Sequence, residues 1–148
     1  KEVLYIEKKF EDQLALSCGP INFAYRVDRV DRMADGTIMI LDYKTGSNDP
    51  MPKKIQEIEL LELSRTNILD KVVSFQIPLY FNYLDKTFKD QPISAAYYNL
   101  RTLEIDKFPD HKMNFERAQI NAAFLRPLDF IMCEILDRQT PFFDAPQR

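Results

Sequence analysis

Two β-rich runs, Ile21 to Met33 and Thr37 to Lys44, are separated only by Ala34-Asp35-Gly36. That short break constrains the fold more than any other feature of the chain. An Asp-Gly between β-branched and aromatic runs predicts a tight hairpin. A three-residue loop ending in Gly36 sets the glycine in the left-handed position and pairs Met33 with Thr37. Counting back along both strands then sets Asp28 opposite Asp42. Asp42 and Lys44 are two apart and share one face of their strand. Asp28 joins them there, while Asp31 points to the other face. A slip of one residue would reverse those faces.

The remaining segments give the architecture. Val3 to Phe10 alternates as a strand, Leu14-Ala-Leu16 begins or continues a second, and Cys18-Gly19-Pro20 reads as a turn. Thr45 to Pro52 is a loop. Ile55 to Ser64 has helical spacing. Asp70 to Phe88 reads as another helix, with Asp70 as N-cap and Pro78 either kinking it or marking a helix start. Ile93 to Leu100 and Leu103 to Phe108 form a second hairpin around Arg101-Thr102. Phe115 to Asp137 is helical, with a break expected at Pro127. The order predicts an α/β (α+β) domain: a mixed central sheet flanked by helices, in which a β-hairpin carries the site.

At 148 residues the chain fits a single domain spanning residues 1 to 148. The 45% hydrophobic and 12% aromatic content excludes a disordered chain. The longest aliphatic run, Ile38 to Leu41, is far too short to span a bilayer, so no membrane association is expected. Cys18 and Cys133 lie far apart without CxxC spacing, which argues against a structural zinc or an iron–sulfur cluster on this chain. They read as buried free thiols of a reducing cytoplasm. The net charge of −3 is neutral on nucleic-acid binding, which would require basic residues clustered on one face. Lys53, Lys54, Arg65 and Lys71 are candidates for such a track, although scattered surface charges are the plainer reading.

Charges interrupt the otherwise apolar strands at Asp28, Asp31, Asp42 and Lys44. Two carboxylates directly opposite on a sheet repel one another. A divalent cation reverses the sign of that term, and Mg²⁺ is suited by one or two carboxylates together with waters and phosphate oxygens. A neighbouring lysine can orient water and offset charge developing on phosphorus. The implied chemistry is metal-assisted hydrolysis of a phosphodiester. The alternative is a surface strand with solvated charges, in which Asp28 pairs with Arg26 or Arg29.

Arg26-Val-Asp28-Arg-Val-Asp31-Arg32, the Asp35-Gly36 turn, Leu41-Asp42-Tyr43-Lys44-Thr45-Gly46 and Gln76-Ile-Pro78-Leu-Tyr80 together resemble the RecB-like branch of the PD-(D/E)XK nuclease superfamily, nearest to the nuclease domains of AddB-type helicase–nucleases. The resemblance implies a restriction-endonuclease-like core. It makes Asp28, Asp42 and the main-chain carbonyl of Tyr43 ligands of Mg²⁺ or Mn²⁺, with Glu7 as a further candidate that also reads as a strand-edge charge. Lys44 would be the catalytic lysine, and Gln76 and Tyr80 would contact DNA or brace the site. Gln76 and Tyr80, four apart, share a helix face independently of the resemblance.

Three departures accompany it. Tyr25 stands where the family usually has glycine. No upstream helix bearing a His or Glu ligand precedes Lys1, and the sole histidine, His111, reads as a solvated loop residue. A terminal cysteine cluster is missing. A fragment cut from a larger protein accounts for the last two. The expected activity is that of a DNA exonuclease coupled to a helicase domain or subunit in recombination and repair. The rivals are a non-catalytic DNA- or partner-binding scaffold on the same fold, and a stand-alone CRISPR-associated or phage-type relative.

Overall fold

The computed structural model describes residues 1–46, 51–52, 54–109, 115–139 and 141. The chain opens with a long antiparallel pair, β1 (Glu2–Leu16) and β2 (Gly19–Arg32), and continues into β3 (Ile38–Lys44). Three helices follow, α1 (Ile55–Glu59), α2 (Arg65–Lys71) and α3 (Gln76–Thr87). They carry the chain over to β4 (Ile93–Asn99), which turns back into β5 (Ile105–Phe108), and α4 (Arg117–Leu136) comes last. The sheet runs β1-β2-β3-β4-β5. Only the β3–β4 pair is parallel, as a helical crossover between two strands allows. This is the expected mixed sheet with flanking helices.

The β2–β3 register follows from the turn. Met33 N–H donates to the Thr37 carbonyl at 2.8 Å and Gly36 adopts φ 85°. Asp35 Oδ1 accepts from Thr37 N–H at 2.9 Å. The ladder then pairs Arg32 with Ile38 and runs to Arg29 opposite Leu41. The sequence-based register is therefore correct, and Asp28 and Asp42 are the next positions along it.

One face of the sheet carries the main core. Val30, Ile38 and Ile40 meet Ile55, Ile58, Ile68, Ile77, Phe81, Leu84, Ile120 and Phe124 from all four helices. Met39, Leu41 and Ala96 form a separate small cluster on the opposite face. Val27 and Val30, three apart on β2, are both fully buried in the main core. Strict alternation is thus broken between them, next to Asp28, where the β2–β3 ladder ends.

Several expectations are corrected. β1 is one continuous strand through residue 16 rather than two. Asp70 does not start a helix. Ser64 caps α2 by accepting from Asn67 N–H at 3.2 Å, and α3 begins separately at Gln76. Of the two roles open to Pro78 the helix start holds: it falls in the first turn of α3, where its missing N–H costs nothing. Pro127 does not break α4, which runs through it with the proline buried. There the apolar packing of Ile120, Phe124 and Leu128 outweighs one lost helical hydrogen bond.

Cys18 and Cys133 are not free thiols. They form a disulfide with Cα atoms 5.5 Å apart, within ordinary bridging distance. The β1–β2 hairpin brings its tip onto α4, and beside the bridge Ser17 N–H and Oγ donate to the two oxygens of Asp129 at 2.6 and 2.7 Å. Separation along the sequence concealed this proximity. Among the described residues no helix is long and apolar enough to cross a membrane.

Candidate active site

Asp42 and Lys44 project from β3 onto the core face. Asp42 is only 6% exposed, and Lys44 Nζ lies 2.9 Å from its Oδ2. A buried carboxylate is costly unless it is paired and hydrogen-bonded, and here both conditions are met. Where β2 leaves the ladder, Asp28 Oδ2 accepts from Tyr43 N–H at 2.7 Å. A side chain thus takes the place of a ladder acceptor and draws the Asp28 carboxylate against the strand that carries Asp42.

Gln76, at the first position of α3, organises the rest. Its Nε2 donates to Asp42 Oδ1 at 2.8 Å and to the Tyr80 hydroxyl at 3.1 Å. Its Oε1 accepts from Lys44 Nζ at 3.3 Å and from the Tyr97 hydroxyl at 3.5 Å. Both donors and both lone-pair directions of the amide are used, which fixes which end is oxygen and which nitrogen. Tyr80 passes the chain on by donating to the Arg26 carbonyl at 3.2 Å. Burial, with the nearby charges of Asp42 and Asp28 adding to it, pushes the Tyr80 phenol up to about 12.

The alternative in which Asp28 serves an arginine does not form. Arg26 reaches Glu7 at 3.7 Å, and Arg29 donates to Asp31 at 2.7 Å. Asp31 is fully buried and faces away from Asp42, as its position in the register requires. Lys1 Nζ lies 3.0 Å from its other oxygen, in an orientation that falls short of a hydrogen bond. Glu7 is exposed, with φ 50°. Among the described residues no group of three His, Cys, Asp or Glu side chains is placed to hold a metal ion. His111 and Lys53 lie outside the described residues. Arg65 is engaged by Glu134 at 2.9 Å, and Lys71 by Glu57 at 3.4 Å.

Two site residues escaped the sequence reading. Tyr97 pairs with Asp42 in the parallel register, is 1% exposed, and sets its ring 4.8 Å beneath Lys44 Nζ. Asn99, opposite Lys44, donates to the Gly46 carbonyl at 3.0 Å and accepts from the N–H groups of Arg101 and Thr102. It thereby secures the loop entered by β3. Both depend on a parallel pairing across a helical crossover, which nothing local in the sequence specifies. Tyr25 fills the place where glycine was expected. Its ring packs 5.5 Å from those of Tyr80 and Tyr83 and 5.9 Å from Phe10, and burial raises its phenol pKa well above the ordinary value.

A divalent cation fits the donor set in one respect. Asp28 is bonded to the N–H of the residue that follows Asp42, and two such carboxylates with waters and phosphate oxygens to complete the shell are what Mg²⁺ takes.

None of the curated proteins matches the chain. Among solved structures, that of SSO0001 aligns with 93% of this chain at 13% identity and a TM-score of 0.39. The chain spans about half, 53%, of that protein's length. A family model of the PD-(D/E)XK nuclease superfamily matches residues 2–142, nearly the whole sequence and all of the elements around Asp42. The chain belongs to the PD-(D/E)XK nuclease superfamily.

Proposed function

We propose that this chain carries the catalytic centre of a Mg²⁺- or Mn²⁺-dependent deoxyribonuclease. The observation that carries the reading is the buried Asp42 carboxylate, held by Lys44 at 2.9 Å and by Gln76 at 2.8 Å, with Asp28 fixed against the next residue of the same strand. Asp28, Asp42 and the main-chain carbonyl of Tyr43 would hold the cation. When bound, the cation supplies Lewis-acid polarisation of the scissile phosphoryl group. Lys44 orients the attacking water and offsets negative charge gathering on phosphorus, an effect strengthened by its partly buried position. Gln76 braces the Asp42 carboxylate, and Tyr80 holds Gln76 in turn. Attack on phosphorus forms the new P–O bond as the sugar oxygen leaves, giving a 5′- or 3′-phosphate end and a free hydroxyl.

The resemblance of the Asp-Tyr-Lys-Thr-Gly strand to RecB-like sequences supports the finer reading. In that reading the protein is an exonuclease working with a helicase domain or subunit on cytoplasmic DNA during recombination and repair. The test is DNA cleavage by the full-length protein with Mg²⁺ or Mn²⁺. Asp42→Ala and Lys44→Ala should each lower the rate by roughly 100-fold or more, the scale seen when one transition-state donor is removed. Wild-type rates in both variants would overturn the assignment.

A non-catalytic scaffold is favoured by one observation, the lack of a third acidic or histidine ligand among the described residues. Calorimetric titration with Mn²⁺ separates the two readings. Binding that disappears in Asp28→Ala supports the nuclease, and no binding in either protein supports the scaffold.

A further inference from the structure

Tyr97 belongs to none of the motifs that mark this family in the sequence, yet it touches both sides of the centre. Its strand neighbour in the sheet is Asp42, and neighbouring positions in a parallel pair place side chains on the same face about 4.8 Å apart. The residues before it on β4, Ala95 and Ala96, are small and fully buried. Ala95 shares the core face with Tyr97, while Ala96 lies on the opposite face, and the large ring at position 97 lies against Lys44.

The two ends of the side chain act on different partners. The ring face lies 4.8 Å from Lys44 Nζ, inside the range in which an ammonium is attracted by an aromatic quadrupole. The hydroxyl donates to Gln76 Oε1 at 3.5 Å. That oxygen also accepts from Lys44, and because an ammonium can only donate and a carboxylate can only accept, Lys44 and Asp42 set the amide orientation that the Tyr97 hydroxyl joins. The chain Tyr97–Gln76–Asp42 and the contact Tyr97–Lys44 thus close a ring around the same carboxylate.

We propose that Tyr97 is a positioning residue for Lys44, its ring setting where the ammonium stands beside Asp42 and Gln76. The inference rests on the nuclease reading for its consequence in catalysis, but the placement itself is independent of it.

Two measurements on the full-length protein decide the matter. The first needs no activity: ¹³C-lysine spectra, with the Lys44 signal identified by its loss in Lys44→Arg. Over an aromatic face the Lys44 ε-methylene protons should be shifted upfield in the wild type and in Tyr97→Phe. They should return to the position of solvated lysines in Tyr97→Leu. The second is steady-state cleavage. Tyr97→Leu should lower kcat by about tenfold with KM unchanged, and the ring-retaining Tyr97→Phe should restore most of the rate. An unshifted Lys44 signal in the wild type overturns the proposal. So does a Tyr97→Leu protein that melts like the wild type and keeps its kcat. Should the wild type not cleave DNA at all, the nuclease reading fails while the spectra still decide where Tyr97 holds Lys44.

Discussion

Gln76 and Asp42, 34 residues apart, meet through a 2.8 Å hydrogen bond that joins the first turn of α3 to the middle of the sheet. Around this bond the polar groups of the centre are mutually satisfied, so its removal has consequences for both stability and chemistry. In Gln76→Ala the buried Asp42 loses a donor, and Lys44 and Tyr97 lose a shared acceptor. Leaving a buried polar group unsatisfied costs about 1–3 kcal/mol, and denaturant unfolding should show a loss of that size. Cleavage should fall at the same time by about tenfold to a hundredfold, since the donors around the reacting group are no longer held in place. Wild-type melting and turnover together would show that the bond does not organise the centre.

Asp31 contributes to stability in a way that acid removes. Burial alone would raise its pKa, but the Arg29 hydrogen bond and the charge of Lys1 outweigh it, so the carboxyl sits below its ordinary range. A depressed folded-state value means a stabilising contribution that is fully present above the unfolded pKa of about 3.9 and is lost as the pH falls through the folded value. Melting curves from neutral pH to pH 2 should therefore show, below about pH 4, a decline that Asp31→Asn lacks. Parallel curves for the two proteins would contradict this.

The disulfide closes a loop across a sequence separation of 115. A bridge of this kind acts largely on the unfolded chain, and removing it typically costs about 2–4 kcal/mol. Cys18→Ser with Cys133→Ser, or treatment with a thiol reductant, should lower the unfolding midpoint correspondingly. The Ser17–Asp129 hydrogen bonds should keep the hairpin tip in place in the native state. An unchanged midpoint would show that the bridge adds nothing beyond those contacts.

Gly36 has φ 85°, and a Cβ built there meets nothing within 4 Å. The expected penalty of Gly36→Ala is therefore purely one of backbone conformation, about 1 kcal/mol. For a chain of this size that corresponds to about 3 °C in Tm. Gly36→Asn, which tolerates the left-handed region better, should recover part of it. Equal midpoints for all three proteins would show that the turn does not need this conformation.

What could be read in advance was whatever depends on neighbours along the chain. The Asp-Gly turn fixed the β2–β3 register, and the register placed Asp28, Asp42 and Lys44. The i, i+4 spacing put Gln76 and Tyr80 on one helix face. Tyr97 and Asn99 reach the centre through a parallel pairing set by how three helices pack on the sheet, and no local pattern encodes that. Cys18 and Cys133 were misjudged for the same reason: the tip of a hairpin with strands of 15 and 14 residues meets α4 and brings together what the sequence holds apart. Pro127 shows the converse error, a local rule overridden by apolar packing along α4. Asp70 was a sound capping residue type in the wrong place, because Ser64 starts α2 and a fresh helix begins at Gln76.

The bridge between the hairpin tip and α4 also determines how the molecule comes apart. A protease cutting once between α1 and α3 would leave two pieces, one bearing Asp28, Asp42 and Lys44 and the other Gln76, Tyr97 and Asn99. Cys18 lies on the first piece and Cys133 on the second, so the nicked protein would migrate as one band on a denaturing gel until a reductant is added. The two halves of the centre would stay tethered at high local concentration, able to find each other again after denaturant is withdrawn.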